Sequence, residues 1–570
     1  MLALAGAGVL LVGPGAAGAS AGTPSHGDAT RASGKQVDVV LRLEPRRSGV
    51  QRLARAVSDP SSPSYGEYLD PPAIGKRFGA RQATRRQVRA FLSRRGVRAR
   101  VDVTGSFAHA LVPARTARPL FGSGKRKHGR IPRGLRGAVR VVLQEELAAS
   151  EERSREDASA DPAAPRQGQL APPFARTGTP AGCEDGRDAT FQPDDNAPLA
   201  GPAFTPNQIQ TAYRAAPLHE RGVTGEGVRA AILGAGGLGR RELRGFTECF
   251  GIEMPPARLI KVDTRSAGQT SDETALDLQM LTLMAPGLES ISNYAVGSGF
   301  WPVDFAAMID PRNAPDGELP HLISVSQGDC EDQLGRAEVD LSERVLAAAA
   351  AAGITVAAGA GDAGSFCGGS RVGFYPGSSR WATSVGGTAL TLTDANAIAD
   401  EVVWNDSPLG LQGAGGGGSS GYLGPPFYQS GLGISNRRGY PDVSVAADGY
   451  PSIAIYCALT PQGVCGKDPG ENPFRALGNG TSAATPLFVG AIALANQARL
   501  QAGAPPIGFA NPLLYALGRE GGAGALRDVV EGSNALVFDC CQAAPGFDLA
   551  SGWGSPNAIG LAAAGALGSP

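Results

Sequence analysis

The sequence predicts an α/β protein: a mostly parallel sheet with helices on both faces, preceded by a smaller α/β unit. Three observations carry this. After residue 200, short apolar runs alternate with longer helical runs, the pattern of buried strands joined by crossover helices. Before residue 140, a separate segment has its own strand and helix patterns and a different charge. Between the two, the composition turns to Glu, Ser, Asp, Ala and Pro with little periodicity. The 570 residues, 42% hydrophobic, suffice for one large core and a smaller one.

In chain order, residues 1–21 form an apolar stretch of signal-peptide length, with small-x-small cleavage candidates at Ala17-Gly18-Ala19 and Ala19-Ser20-Ala21. The basic segment that usually opens such a peptide is missing, which suggests a truncated start. The run is too short and Gly-rich for a membrane span, and no other segment qualifies as one. Export to the extracellular space is expected.

Residues 36–140 are expected to form a compact α/β domain. VDVVLRL (38–44) alternates like a strand, and RRQVRAFLSRRG (85–96) has helical spacing with a glycine stop. This domain carries 24 Lys and Arg against 6 Asp and Glu, a net of +18, whereas the rest of the chain has 28 against 47, a net of −19. The whole is near neutral, which points away from a nucleic-acid partner. The opposed charges suggest two domains that pair electrostatically. Residues 145–200 are expected to be a flexible linker, easily cut.

From 201 to 566, VRAAIL (228–233), RLIKV (258–262), SISNYAV (290–296), HLISVSQG (321–328) and GITVAAGAGD (353–362) are predicted as buried strands. ETALDLQMLTLM (273–284) and VDLSERVLAAAAAAG (339–353) are predicted as helices. Gly234, Gly236 and Gly239 match GxGxxG after the first strand, with Asp263 where a ribose-binding acid would sit. Among 81 glycines the match is weak, and a Gly-rich loop is the expectation. The eight cysteines suit an exported chain without CxxC zinc spacing. Cys457 with Cys465 would close a short loop, and Cys330 with Cys367 is plausible.

The chemistry centres on GNGTSAATP (478–486), which reads as a nucleophilic Ser482 at a helix start. None of the five histidines, His26, His109, His128, His219 and His321, stands in the context of a Ser-His-Asp triad. Glu273 and Asp277 are four apart, so they share one face of a helix that is apolar nearly all round. Two buried like charges repel and lose hydration, which raises a carboxyl pKa and lets a pair share a proton. A carboxylate so tuned can take the serine proton in acid, where a histidine is already charged. Asp362 ends a buried strand on a glycine bend; kept protonated, it could donate to a developing oxyanion.

ExxxD, GxGDxG and GTSxxxP in this order resemble the sedolisins, the serine-carboxyl peptidases. FTPNQIQTAYRAAPL (204–218), FYPGSSRWATSVGGT (374–388), GGGGSSGY (415–422) and YPDVSVAA (440–447) extend the likeness. The resemblance implies a subtilisin-like fold behind an activation propeptide, with Ser482 as nucleophile, Glu273 as general base, Asp277 orienting it and Asp362 in the oxyanion hole. Gln327 stands where relatives often have Trp. RDVVEGSN (527–534) and APGFDLASGWGSP (544–556) resemble the family's site for one structural Ca²⁺. Asp528 and Asp548 would give carboxylates, and Val529, Ala544 and Gly546 backbone carbonyls.

The expectation is therefore a secreted, calcium-binding, acid-active endopeptidase made as a zymogen, monomeric, acting on polypeptides and inhibited by its own propeptide, with neither nucleic acid nor membrane as partner. Its rivals are a serine hydrolase using His219 or His321, and an inactive fold serving calcium binding or adhesion.

Overall fold

The computed structural model describes residues 35–123, 128–146, 176–190, 202–234, 237–262, 271–295, 299–367, 370–409, 411–434, 436–457, 472–536, 538 and 540–566. The signal-peptide stretch, Gly236, Asp263, Cys465 and most of the expected linker lie outside these residues.

The first unit is a five-stranded antiparallel sheet in the order Arg100–Val101, Phe107–Pro113, Gln36–Leu43, Val139–Glu146, His128–Gly129. Its central strand shows what the alternation in VDVVLRL does. Val37, Val39, Leu41 and Leu43 enter this unit's own core with Val88, Phe91, Leu92 and Phe121. Val40, of opposite parity, joins the large core of the rest of the chain with Phe107 and Leu143. Asp38, on that same second face, is fully buried; it bonds His109 Nε2 at 2.7 Å and accepts from Gly299 N at 3.5 Å. One strand thus builds a core with one face and a docking surface with the other.

Helix Val50–Ser58 of this unit packs on helix Arg336–Ala351 of the larger part. Leu69 N donates to Ala351 O at 3.1 Å, and the Tyr68 hydroxyl donates to the carbonyl of Ile507 at 2.8 Å. Gly353 and Gly508 leave room for the Tyr68 ring.

The larger part is built on an eight-stranded sheet. Its order runs Ile398–Val403, Thr383–Leu392, Thr355–Gly359, Leu322–Val325, Arg229–Gly234, Ser290–Ala295, Ala257–Lys261, with Val443–Ala446 also on Thr383–Leu392. Every pairing is parallel except that of Ile398–Val403, which is antiparallel. The strand predictions fall on these elements within one or two residues, except that Leu322–Val325 ends three residues before 328 and Thr355–Gly359 three before 362. The central strands are dominated by Val, Ile, Leu and Ala with almost no exposure, as a sheet covered on both faces requires.

Two helices run close together under this sheet, Asp272–Met284 and Gly480–Gln501. Their contact depends on Gly490: a Cβ there would stand 2.4 Å from Met284 Cβ. The first helix is capped by Ser271, whose Oγ accepts from Thr274 N at 3.1 Å.

Part of the stretch expected to be linker is folded instead. Cys183 is bonded to Cys249, Arg176 donates to the carbonyls of Arg187 and Ala203, and Thr179 N donates to Asn396 Oδ1. Residues 176–190 are thus tied to the larger part, and the open composition that suggested a linker persists only outside the described residues. Cys330–Cys367 forms as expected. Cys540 is bonded to the adjacent Cys541, and Cys457 is disulfide-bonded. Beside the described glycines after the first strand, Asn293 lies against Gly234 and donates to Gly237 O at 2.9 Å. Among the described residues, no helix is long and apolar enough to cross a membrane.

Candidate active site

Ser482 is the third residue of its helix, where the unpaired N–H groups leave a positive potential. Gly480 makes the turn into the helix at φ +74°, where a Cβ would also meet the Asp362 carboxyl at 2.7 Å. Gly480 N donates to Ala447 O at 2.7 Å. Thr481 is buried and gives both its groups to one atom: its N–H and its hydroxyl donate to Asp362 Oδ1 at 2.7 and 2.8 Å. Thr481 Oγ1 in turn accepts from Gly361 N at 3.1 Å. The end of strand Thr355–Gly359 and the start of the serine helix are thereby joined at Asp362.

A second link reaches the acidic helix. Ser326, just past strand Leu322–Val325, donates from Oγ to Asp277 Oδ1 at 2.5 Å. The same Oγ lies 3.3 Å from the carbonyl of Ser482. That carbonyl would ordinarily bond the N–H four residues on, but position 486 is Pro486, which has none. The proline in GTSxxxP thus leaves the Ser482 carbonyl open to Ser326. Asp277 is fully buried. Glu273 sits one turn earlier on the same face and is partly exposed, as are Ser482 and Asp362. Asp277, Asp362 and Ser482 therefore sit around one site, linked through Ser326 and Thr481, with Glu273 one helical turn from Asp277. Neither Ser326 nor Thr481 was assigned a role from sequence. The signal for Ser326 is its place at the carboxyl end of a central parallel strand, where such sheets carry their ligands.

His219 and His321 lie elsewhere. His219 Nε2 is 2.9 Å from Met284 O, at the far end of the acidic helix, about 16 Å from Glu273 at 1.5 Å per residue. His321 precedes the strand whose other end holds Ser326, about 16 Å away at 3.3 Å per residue. Arg229 N donates to His321 Nδ1 at 3.1 Å. Burial and the Arg229 charge push His321 down to about 4.

Comparison with known proteins follows this geometry. A family model described as Pro-kumamolisin, activation domain, matches residues 25–128. Kumamolisin of Bacillus sp. (strain MN-32) is 32% identical over 382 residues, 63% of this chain and 63% of that protein. Human tripeptidyl-peptidase 1 is 31% identical over 349 residues, 55% of each. The solved structure of Pseudomonas sedolisin, a serine-carboxyl proteinase complexed with two molecules of pseudo-iodotyrostatin, superposes with a TM-score of 0.54 at 26% identity, covering 63% of this chain and 97% of that one. The chain is thus similar to the sedolisins in sequence and in fold, and it carries a segment that matches the kumamolisin activation domain. It spans a little under two thirds of the length of kumamolisin and about half that of tripeptidyl-peptidase 1.

The C-terminal acids also come together. Asp528 Oδ2 accepts from Gly546 N at 2.7 Å, and Asp548 Oδ2 accepts from Ala544 N at 2.9 Å. Asp548 Oδ1 accepts from Ala550 N and Ser551 N, and Ser551 Oγ donates to Val529 O at 3.1 Å. Burial pushes the Asp548 carboxyl up, while these N–H groups pull it back. Among the described residues no group of three or more His, Cys, Asp or Glu could hold a metal. A cation at this loop would therefore rely on two carboxylates and on backbone carbonyls, an all-oxygen set that fits a hard cation and excludes zinc.

Proposed function

We propose that this protein is a secreted, acid-active serine-carboxyl endopeptidase made as a zymogen, with Ser482 as nucleophile. The observation that carries the reading is the pair of links, Asp362 to Thr481 and Asp277 to Ser326, that tie two acidic motifs from distant parts of the sequence to the start of the serine helix.

Glu273 takes the proton as Ser482 Oγ attacks the scissile carbonyl, then returns it to the leaving amine; water afterwards releases the acyl group. Asp277, anchored by Ser326, holds Glu273 in place. Asp362 stabilises the developing oxyanion. Because Oδ1 of Asp362 accepts two hydrogen bonds from Thr481, the proton it donates resides on Oδ2. Acid pH keeps that proton in place. Calcium, held by Asp528, Asp548 and the carbonyls of Val529, Ala544 and Gly546, would supply rigidity to the C-terminal loops and no chemistry.

The docked 35–146 unit serves as the intramolecular inhibitor, with the cut that frees it between 147 and 182, since a cut beyond Cys183 would leave it held by the Cys183–Cys249 disulfide. The charge of residues 36–140, +18 against −19 for the rest of the chain, favours docking at neutral pH and release as carboxylates protonate. The test is hydrolysis of a denatured protein at pH 3–5 by matured enzyme and by the Ser482→Ala form. Activity in the first and none in the second supports the reading; equal activity in both overturns it.

A further inference from the structure

Two buried carboxyl groups outside the proposed triad touch each other: Asp406, 4% exposed, and Asp448, 7% exposed. Their side chains are hydrogen-bonded together. Each belongs to a loop that holds one half of the active site.

On the first side, Asp406 N donates to Gly413 O at 2.8 Å, and Gly415 N donates to Trp404 O at 3.0 Å. This folds residues 413–416 into a short ribbon beside residues 404–406. The other edge of that ribbon carries Asp362: Ala414 N donates to Asp362 O at 2.9 Å, Gly364 N to Ala414 O at 3.0 Å and Gly416 N to Gly361 O at 2.7 Å. On the second side, Asp448 follows Ala447, whose carbonyl accepts from Gly480 N at 2.7 Å. Gly480 leads directly into Thr481 and Ser482. Thr481 closes the ring by bonding Asp362. A single loop of contacts thus runs Asp362, Ala414, Asp406, Asp448, Ala447, Gly480, Thr481 and back.

We propose that Asp406 and Asp448 are a proton-sharing pair of positioning residues that fixes the Asp362 loop against the start of the serine helix, and that the register of the two holds only while the pair keeps a proton. The inference rests on the proposed peptidase function for its consequence in catalysis, though the pairing is a property of the fold.

The surroundings leave the pair to satisfy itself. Trp404 Nε1 donates to Asp406 Oδ2 at 2.9 Å, and Tyr450 N donates to Asp448 Oδ1 at 2.9 Å, with Gly449 N also donating to Asp448. The phenol of Tyr450 feels both carboxyls. The strongest charge acting on Asp448 is that of Asp406, and among the described residues no cation is found acting on it. Burial lifts Asp406 to about 6, and burial together with the Asp406 charge lifts Asp448 well above the carboxylate range. Asp448 is therefore the donor and Asp406 the acceptor, and the two titrate as a unit. Both values lie above those of the unfolded chain. The stability from the pair is complete below about pH 4 and is lost as pH rises through 6 and beyond.

The test compares wild type, Asp448→Asn and Asp448→Ala as matured full-chain enzyme. The asparagine amide donates to Asp406 without an ionisable proton. It should keep hydrolysis at pH 4 within about threefold of wild type and move the alkaline limb of kcat/KM up by about one pH unit. The alanine form should lose about tenfold at every pH. Independently of activity, the unfolding midpoint of wild type should fall relative to Asp448→Asn between pH 5 and 8; parallel curves overturn the proposal. Should Asp448→Asn fail to fold, the carboxyl carbon resonances of wild type decide the matter. Two aspartates titrating at or above about pH 6 support the pair, and none above pH 5 overturns it. Hydrolysis surviving in Ser482→Ala would refute the peptidase reading while leaving the unfolding comparison intact.

Discussion

Thr481 and Asp362 meet through two hydrogen bonds to the same carboxyl oxygen, 2.7 Å from the Thr481 N–H and 2.8 Å from its hydroxyl. One threonine therefore orients the carboxyl proposed for the oxyanion hole and stands next to the proposed nucleophile. Thr481→Ser keeps both bonds and should hydrolyse within about threefold of the native rate. Thr481→Val removes the hydroxyl and strands Gly361 N. It should lower kcat by about tenfold to a hundredfold with KM little changed, the signature of an interaction that matters in the transition state. A matched fall in the serine variant would contradict the role.

Gly490 sets the spacing of the two active-site helices. Gly490→Ala places a methyl 2.4 Å from Met284 Cβ, and neither backbone can yield without moving Glu273 or Ser482. The expected cost is about 1–3 kcal/mol of stability, as for other overpacked cores. Thermal unfolding with activity measured in parallel checks it, since displacement of the helices should lower both. An unchanged Tm would mean the helices are not held at this point.

His321 makes a pH prediction of the opposite sign to the carboxyl pair. Its folded value of about 4 lies below the unfolded 6.5. The unfolded chain therefore binds the proton first. The stability from His321 is present above pH 6.5 and is lost as pH falls to about 4, by up to about 3 kcal/mol. His321→Gln should flatten the acid side of the unfolding profile over that window. It should also retain hydrolysis, because His321 stands at the wrong end of its strand to serve Ser482. Loss of activity in a folded His321→Gln protein would revive a Ser-His mechanism.

Calcium should act on stability alone. At a hundred times its Kd a bound ion adds about 2.7 kcal/mol, so chelation should lower the unfolding midpoint of wild type. Asp548→Asn removes one of two carboxylates and should respond to neither chelator nor added calcium. Equal sensitivity in both proteins would place the ion elsewhere.

Much of this fold was legible because its strands are buried on both faces. VRAAIL and GITVAAGAGD announce themselves as apolar runs, and ETALDLQMLTLM as a helix hydrophobic all round. The candidate site was legible as spacing: Glu273 and Asp277 one turn apart, Asp362 after a strand, Ser482 before a helix. What spacing could not convey was the joinery. Ser326 bonds Asp277 across 49 positions of sequence and Thr481 bonds Asp362 across 119. Contacts of that reach exist only after the sheet has formed. Residues 176–190 misled for a related reason: their polar, Gly-containing composition is that of a linker, yet Cys183 and Thr179 tie them down through partners far along the chain. The pairing of Asp406 with Asp448 left no local trace.

The central claim is that a carboxylate, rather than an imidazole, takes the proton from Ser482. The most direct measurement is kcat/KM of Glu273→Gln on a denatured protein at pH 3–5, beside wild type and Ser482→Ala. The account predicts a rate within about tenfold of the Ser482→Ala background, since glutamine fills the same space and cannot accept the proton. Hydrolysis by Glu273→Gln at the native rate would contradict it.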